Sequence, residues 1–192
     1  MKMRIVFFGD SLTAGYGLKN PSMESLPALL SAKIKRGGFN FEVFNEGVSG
    51  DTTASGLARL DSVLENQVHI FVLELGANDM LRGIAAETTQ ANLHQIAIRV
   101  KAKYPDVVFL LLGMQLPQWI PGLRAENFRS VYQQVAKDHN MVIFPFLLMG
   151  VAGVTRLNMP DGVHPLAEGY QVIAENVWPV LKKMLLQPRS NW

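Results

Sequence analysis

Four short blocks of this 192-residue chain hold residue types that can do nucleophilic chemistry. Ser11 follows Gly9 and Asp10 at the end of the apolar run Met3-Arg4-Ile5-Val6-Phe7-Phe8. A serine hydroxyl becomes a nucleophile only beside a base. Of the four histidines, His69 opens a strand-like run, and His94 and His139 lie in helical segments. His164 sits in a loop, three residues after Asp161, in Asp161-Gly162-Val163-His164-Pro165. In a turn, that spacing lets the Asp161 carboxylate accept a hydrogen bond from the imidazole Nδ1–H, which leaves Nε2 to take the Ser11 proton. Attack on a carbonyl carbon builds negative charge on the oxygen, and preorganised donors must meet it. The Ser11 N–H, a backbone N–H in the Ser49-Gly50-Asp51 loop, where Gly50 allows close approach, and the Asn78 amide in Gly76-Ala77-Asn78-Asp79 are donors of that kind. Each block alone has a plainer reading: a capping serine, a capping aspartate beside an exposed histidine, an ordinary Gly/Asn/Asp turn. Their combination in one order favours chemistry.

The elements that must position them read as alternating strands and helices. Apolar runs at 3–8, 41–45, 69–75, 107–112 and 141–144 predict strands. Residues 69–75 and 107–112 are nearly continuous apolar runs, as central parallel strands covered on both faces require. Helical spacing marks 22–36, closed by Gly37-Gly38, then 52–66, 87–103, 122–139 and 166–186. Pro165 is expected at the first position of the last helix, and Pro179 is expected to kink or interrupt it. Residues 187–192 are expected to fray. The alternation implies one α/β domain over residues 1–192, a three-layer α/β/α sandwich with a five-stranded, mostly parallel sheet. In such sheets ligands bind beyond the carboxyl ends of the strands. All four blocks follow predicted strands, and so fall on that edge.

Composition narrows the function classes. Hydrophobic residues make up 48% and charged residues 18%, ample for a packed core. The net charge is +2 with Lys and Arg scattered, so no basic stripe points to nucleic acid or a membrane surface. There is no cysteine, which removes disulfides, thiolate nucleophiles and Cys-based zinc sites. The histidines lack metal-ligand spacing, and no cofactor is expected. Gly15-Tyr16-Gly17 lacks the Gly-Lys-Ser/Thr that a phosphate loop requires. No run reaches the ~18 apolar residues of a membrane span, and the apolar run after Met1-Lys2 is short for a signal peptide. The expectation is a cytoplasmic protein as the chain stands, or a periplasmic or secreted one if it is a trimmed mature form. Oligomeric state is left open.

The same blocks carry a family resemblance. Gly9-Asp10-Ser11-Leu12 matches the GDSL signature. Asn45-Glu46-Gly47-Val48-Ser49-Gly50-Asp51, Gly76-Ala77-Asn78-Asp79 and Asp161-Gly162-Val163-His164-Pro165 resemble the later blocks of the SGNH hydrolases. "SGDTTASGLARL" (49–60) and "LELGANDMLRG" (73–83) look most like the bacterial subgroup of acyl-CoA thioesterase I, lysophospholipase L1 and arylesterase. The resemblance runs from Met3 to the final helix. It implies a flavodoxin-like sandwich of five parallel strands, with Ser11 as nucleophile, His164 as base and Asp161 orienting it. It also implies an oxyanion hole from the Ser11 N–H, the Gly50 N–H and the Asn78 side chain. Many members of that subgroup carry an export signal, which is not visible here.

The expected reaction is two-step hydrolysis of an acyl ester or thioester. The apolar loop Met114-Gln115-Leu116-Pro117-Gln118-Trp119-Ile120-Pro121 follows the fourth predicted strand. Leu116, Pro117, Trp119 and Ile120, with Met80 and Leu81, are expected to line an acyl groove; packing the loop down is an equal alternative. Phe146-Leu147-Leu148-Met149 either joins them or belongs to the core. Asp10 is expected to tie down its loop, and Asp79 to pair with Arg82. Sugar acetates are the nearest rival substrates, and non-catalytic binding of a small molecule such as flavin is the rival of another class.

Overall fold

Five runs rich in Val, Ile, Leu and Phe form one parallel sheet in the order β2-β1-β3-β4-β5. The computed structural model describes residues 2–115 and 123–187. The strands are β1 (Met3–Gly9), β2 (Phe41–Gly47), β3 (Ile70–Glu74), β4 (Val108–Leu112) and β5 (Val142–Phe144). Every residue of β3 is buried, Glu74 included, as a nearly continuous apolar run covered on both faces requires. Phe71 of β3 lies between Phe8 of β1 and Phe109 of β4, with centroid distances of 5.4 and 5.6 Å. Such tilted pairs add about 0.5–1.5 kcal/mol each beyond the area they bury.

Helices lie on both sides of the sheet. They are α1 (Ser11–Ala14), α2 (Pro21–Glu24), α3 (Leu26–Arg36), α4 (Thr53–Val63), α5 (Ala77–Leu81), α6 (Ala86–Lys103), α7 (Leu123–Asp138) and α8 (Ala167–Leu185). α3 packs with α8, where Lys33 Nζ meets Glu175 Oε1 at 2.6 Å. α4, α6 and α7 pack side by side. Among the described residues no helix is long and apolar enough to cross a membrane.

Two expectations about helices are corrected and a third is narrowed. The helix expected at 22–36 is two, divided at Ser25, whose backbone is extended (φ −66°, ψ 158°). Pro27 has no N–H to continue the earlier turn, and the Ser25 hydroxyl caps α3 by accepting from the Ala28 N–H. Pro179 does not interrupt the last helix, which runs through it. It sits on the exposed side, where water can satisfy the carbonyl that loses its partner. Pro165 does not start that helix either. Leu166 is the N-cap, and Pro165 pairs with Asn158 in an isolated antiparallel bridge.

The order of the strands creates the site. After β1 the chain crosses to β2 on one side, then to β3 on the other, so connections leave the carboxyl ends of β1 and β3 in opposite directions. Gly9 of β1 lies level with Gly47 of β2 and Glu74 of β3. The first three blocks therefore emerge side by side.

Candidate active site

Ser11 stands at the mouth of this crevice because β1 stops at Gly9. A Cβ at Gly9 would come within 2.1 Å of Thr13 Oγ1 and 2.5 Å of the Glu74 carbonyl oxygen, so only glycine allows the strands to lie this close. Asp10 then caps α1, its Oδ1 accepting from the Leu12 N–H at 2.9 Å. Ser11 is the first helical residue and not the cap, so its hydroxyl is not spent on the backbone.

The last block reaches Ser11 from the far end of the chain. The Asn158–Pro165 bridge closes a tight loop, with the Met159 N–H donating to the His164 carbonyl and the Leu166 N–H to the Leu157 carbonyl, both at 2.8 Å. Gly162 takes the left-handed conformation (φ +69°) that the loop tip needs. Asp161 Oδ1 accepts from the Val163 and His164 N–H groups at 2.9 and 3.0 Å. Its Oδ2 lies 2.7 Å from His164 Nδ1, and His164 Nε2 lies 2.9 Å from Ser11 Oγ. A carboxylate can only accept, so Nδ1 carries the hydrogen and the Nε2 lone pair faces the serine. The backbone and side-chain hydrogen bonds from His164, with that of Val163, hold the Asp161 pKa down at about 2.

Of the expected oxyanion donors, Asn78 lines the same cavity as Ser11, and Gly50 lies in the loop after β2. Gly50 is in the left-handed region (φ +87°), and the Arg82 guanidinium holds its carbonyl at 2.8 Å. Neither the Ser11 N–H nor the Gly50 N–H has a partner among the described residues. Asn78 Nδ2 is engaged, donating to the Asp51 carbonyl at 2.9 Å and to Asp10 Oδ2 at 3.2 Å. To meet an oxyanion it must trade the longer of these bonds.

Beneath the blocks lie groups that spacing did not reveal. Glu74, at the end of β3, is fully buried and accepts from Thr13 Oγ1 at 2.8 Å and from the Asp10 N–H at 3.3 Å. Burial, with the adjacent Asp10 carboxylate, pushes its pKa well above the carboxylate range. Burial raises Asp10 to about 6. Arg59 of α4 binds Asp51 Oδ2 at 2.6 Å and the carbonyls of Gly9 and Glu46 at 3.1 and 2.8 Å, clamping the ends of β1 and β2 to the second block. The expected Asp79–Arg82 pair is not formed. The buried Asp79 carboxylate accepts instead from the Thr53 N–H and hydroxyl at 2.8 and 2.6 Å, while Arg82 turns to Gly50. A charged residue inside an apolar strand run was the available signal for Glu74; Arg59, on a helix face, offered none.

Ser11 and His164 open onto a cavity of about 650 Å³ with a mainly apolar lining. Met80, Leu81, Met114, Phe146 and Leu148 contribute to it. Met80 and Leu81, expected in the groove, lie in this lining, and so do Phe146 and Leu148. Leu116, Pro117, Trp119 and Ile120 lie outside the described residues.

Comparison with known proteins identifies the family. Residues 7–172 match the GDSL-like lipase/acylhydrolase family. The chain is 40% identical over 182 residues to the esterase TesA of Pseudomonas aeruginosa, covering 94% of this chain and 89% of that one. It is 34% identical over 188 residues to the thioesterase 1/protease 1/lysophospholipase L1 of Escherichia coli K12, covering 97% and 85%. A crystal structure of TesA superimposes with a TM-score of 0.89 at 39% identity, over 96% of this chain and all of that one. With the match spanning most of its length and the fold shared, the chain belongs to the GDSL-like lipase/acylhydrolase family and is a carboxylic ester hydrolase.

Proposed function

We propose that Ser11 is the nucleophile, His164 the general base and Asp161 its orienting acid, acting on acyl esters and thioesters of short to medium chain length. One observation carries this reading: the continuous Asp161–His164–Ser11 hydrogen-bond run opens onto an apolar cavity. The acyl chain enters that cavity and its carbonyl carbon meets Ser11 Oγ. As the Oγ–C bond forms, His164 Nε2 takes the hydroxyl proton, and Asp161 stabilises the imidazolium. The carbonyl oxygen turns toward the Ser11 and Gly50 N–H groups and the Asn78 amide. Collapse breaks the bond to the leaving oxygen or sulfur, which receives the proton from His164. Water then repeats the sequence on the acyl-enzyme, releasing the acid and restoring Ser11. The apolar lining favours acyl chains over sugar acetates, whose hydroxyls need polar partners.

Release of p-nitrophenol from p-nitrophenyl butyrate by the native protein and by folded Ser11→Ala tests the assignment. Activity that falls to background in the variant supports it; a variant that turns over like the native protein overturns it. Release of free thiol from medium-chain acyl-CoA by the same pair tests the thioester arm.

A further inference from the structure

The turn Gly15-Tyr16-Gly17 follows the nucleophile, and no step above uses it. Two left-handed glycines build it, Gly15 at φ +80° and Gly17 at φ +76°. The N–H groups of Gly15 and Tyr16 both donate to the Ser11 carbonyl at 3.0 Å. The turn is pressed from two sides. A Cβ on Gly15 would come within 2.9 Å of Ser25 Cβ, and one on Gly17 within 2.4 Å of Met159 Cε, in the loop that carries Asp161 and His164. The turn therefore docks the serine block against the histidine block. It leaves the Tyr16 ring 4.7 Å from the His164 ring, tilted by 48°. Tyr16 is 52% exposed, so its ring meets His164 at the surface and is not part of the core.

His164 has its Nδ1 on Asp161 and its Nε2 on Ser11. These contacts fix the ring edge but not its rotation about the line joining them. The Tyr16 ring, 4.7 Å away and tilted by 48°, is placed to restrict that rotation. The imidazole becomes a cation twice in each turnover, and an aromatic face within about 6 Å of a cation attracts it. The other titratable groups around the imidazole are Asp161 on its own loop and Asp10 from the segment after β1.

We infer that Tyr16 is a positioning residue for His164, its ring holding the imidazole in line with Ser11 and stabilising the imidazolium as it forms. The inference rests on the triad assignment proposed above. It assigns the work to the aromatic face and not to the phenol hydroxyl or to bulk. Tyr16→Phe keeps the face and loses the hydroxyl; Tyr16→Leu and Tyr16→Met fill the space without a face.

The test is steady-state hydrolysis of p-nitrophenyl butyrate by the native protein and these three variants, with Tm measured for each and Ser11→Ala as the blank. Tyr16→Phe is expected to stay within about twofold of the native kcat. Tyr16→Leu and Tyr16→Met are expected to lose roughly three- to thirtyfold in kcat and kcat/KM together, as loss of a transition-state interaction requires. Aliphatic variants as fast as Tyr16→Phe overturn the inference, because filling would then suffice. A Tyr16→Phe as slow as Tyr16→Leu overturns it in favour of the hydroxyl. A rise in KM at constant kcat overturns it in favour of substrate contact. If Ser11→Ala keeps the native rate, the triad assignment itself fails, a result distinct from the other three.

Discussion

Replacing Asp161 by asparagine tests the tautomer argument directly. The amide would keep an oxygen for the two backbone N–H groups that Asp161 Oδ1 now accepts at 2.9 and 3.0 Å, so the loop has no reason to open. The position 2.7 Å from His164 Nδ1 then falls to an NH₂ group. Two donors cannot face each other, so His164 must carry its hydrogen on Nε2, and Nε2 can no longer accept the Ser11 proton. Asp161 is 43% exposed, so solvent screens its charge and the purely electrostatic loss is modest. The tautomer loss is not screened. On that reasoning kcat falls by about 10³–10⁴-fold, near the effect of the equivalent change in other triads, while Tm moves little. The assay is p-nitrophenyl butyrate turnover, with a circular-dichroism melt on the same samples. A folded Asp161→Asn within tenfold of the native kcat would refute the claim that Asp161 sets the tautomer.

Four further outcomes follow from the geometry. Asp10 and Glu74 have raised pKa values in the fold, so the native state holds protons that the unfolded chain releases; stability they lend is full below about pH 4 and lost as pH rises through about 6 and above. Glu74→Gln removes one ionisation from the pair, so Tm should fall less steeply with pH than in the native protein; an identical slope would show that Glu74 does not bind an extra proton. Asp161 works in the opposite sense, its contribution present above about pH 4 and lost toward pH 2. Gly9→Ala forces a Cβ against the Glu74 backbone at 2.5 Å and should destabilise the fold by about 1–3 kcal/mol, read as roughly 2–4 °C of Tm per kcal/mol at this length. Met80→Trp fills part of the apolar cavity and should move the preferred p-nitrophenyl ester toward shorter chains, with acetate turnover retained; an unmoved chain-length profile would place the acyl group elsewhere.

Much of this is legible in the sequence because the physics is local. Nearly continuous apolar runs mark β3 and β4, and glycines with small polar residues after the strands mark the edge that carries Ser11, Gly50 and Asn78. The break at Ser25 is also local, since Pro27 forbids the preceding turn, but the leucine spacing on either side masks it. What escapes depends on contacts between distant segments. Arg59 reads as an ordinary helical cation until the ends of β1 and β2 arrive beside it. The choice of Thr53 over Arg82 by Asp79 follows from burial that no spacing reveals. Tyr16 reads as part of a glycine turn, and its meaning emerges only when a loop almost 150 residues later is laid against it.

Ser11 and His164 are 153 positions apart, and the hydroxyl of Tyr170 in α8 donates to the Leu12 carbonyl at 3.0 Å, joining the two chain segments in the core. During synthesis the nucleophile therefore emerges first and its base last. At 5–20 residues per second, about 8–30 s separate them. A ribosome-bound chain arrested short of Tyr170 should not react with a fluorophosphonate, while the finished chain should. On the triad proposed above, reactivity at Ser11 would then report the completion of folding, and cleavage of acyl groups would await the docking of the last helix.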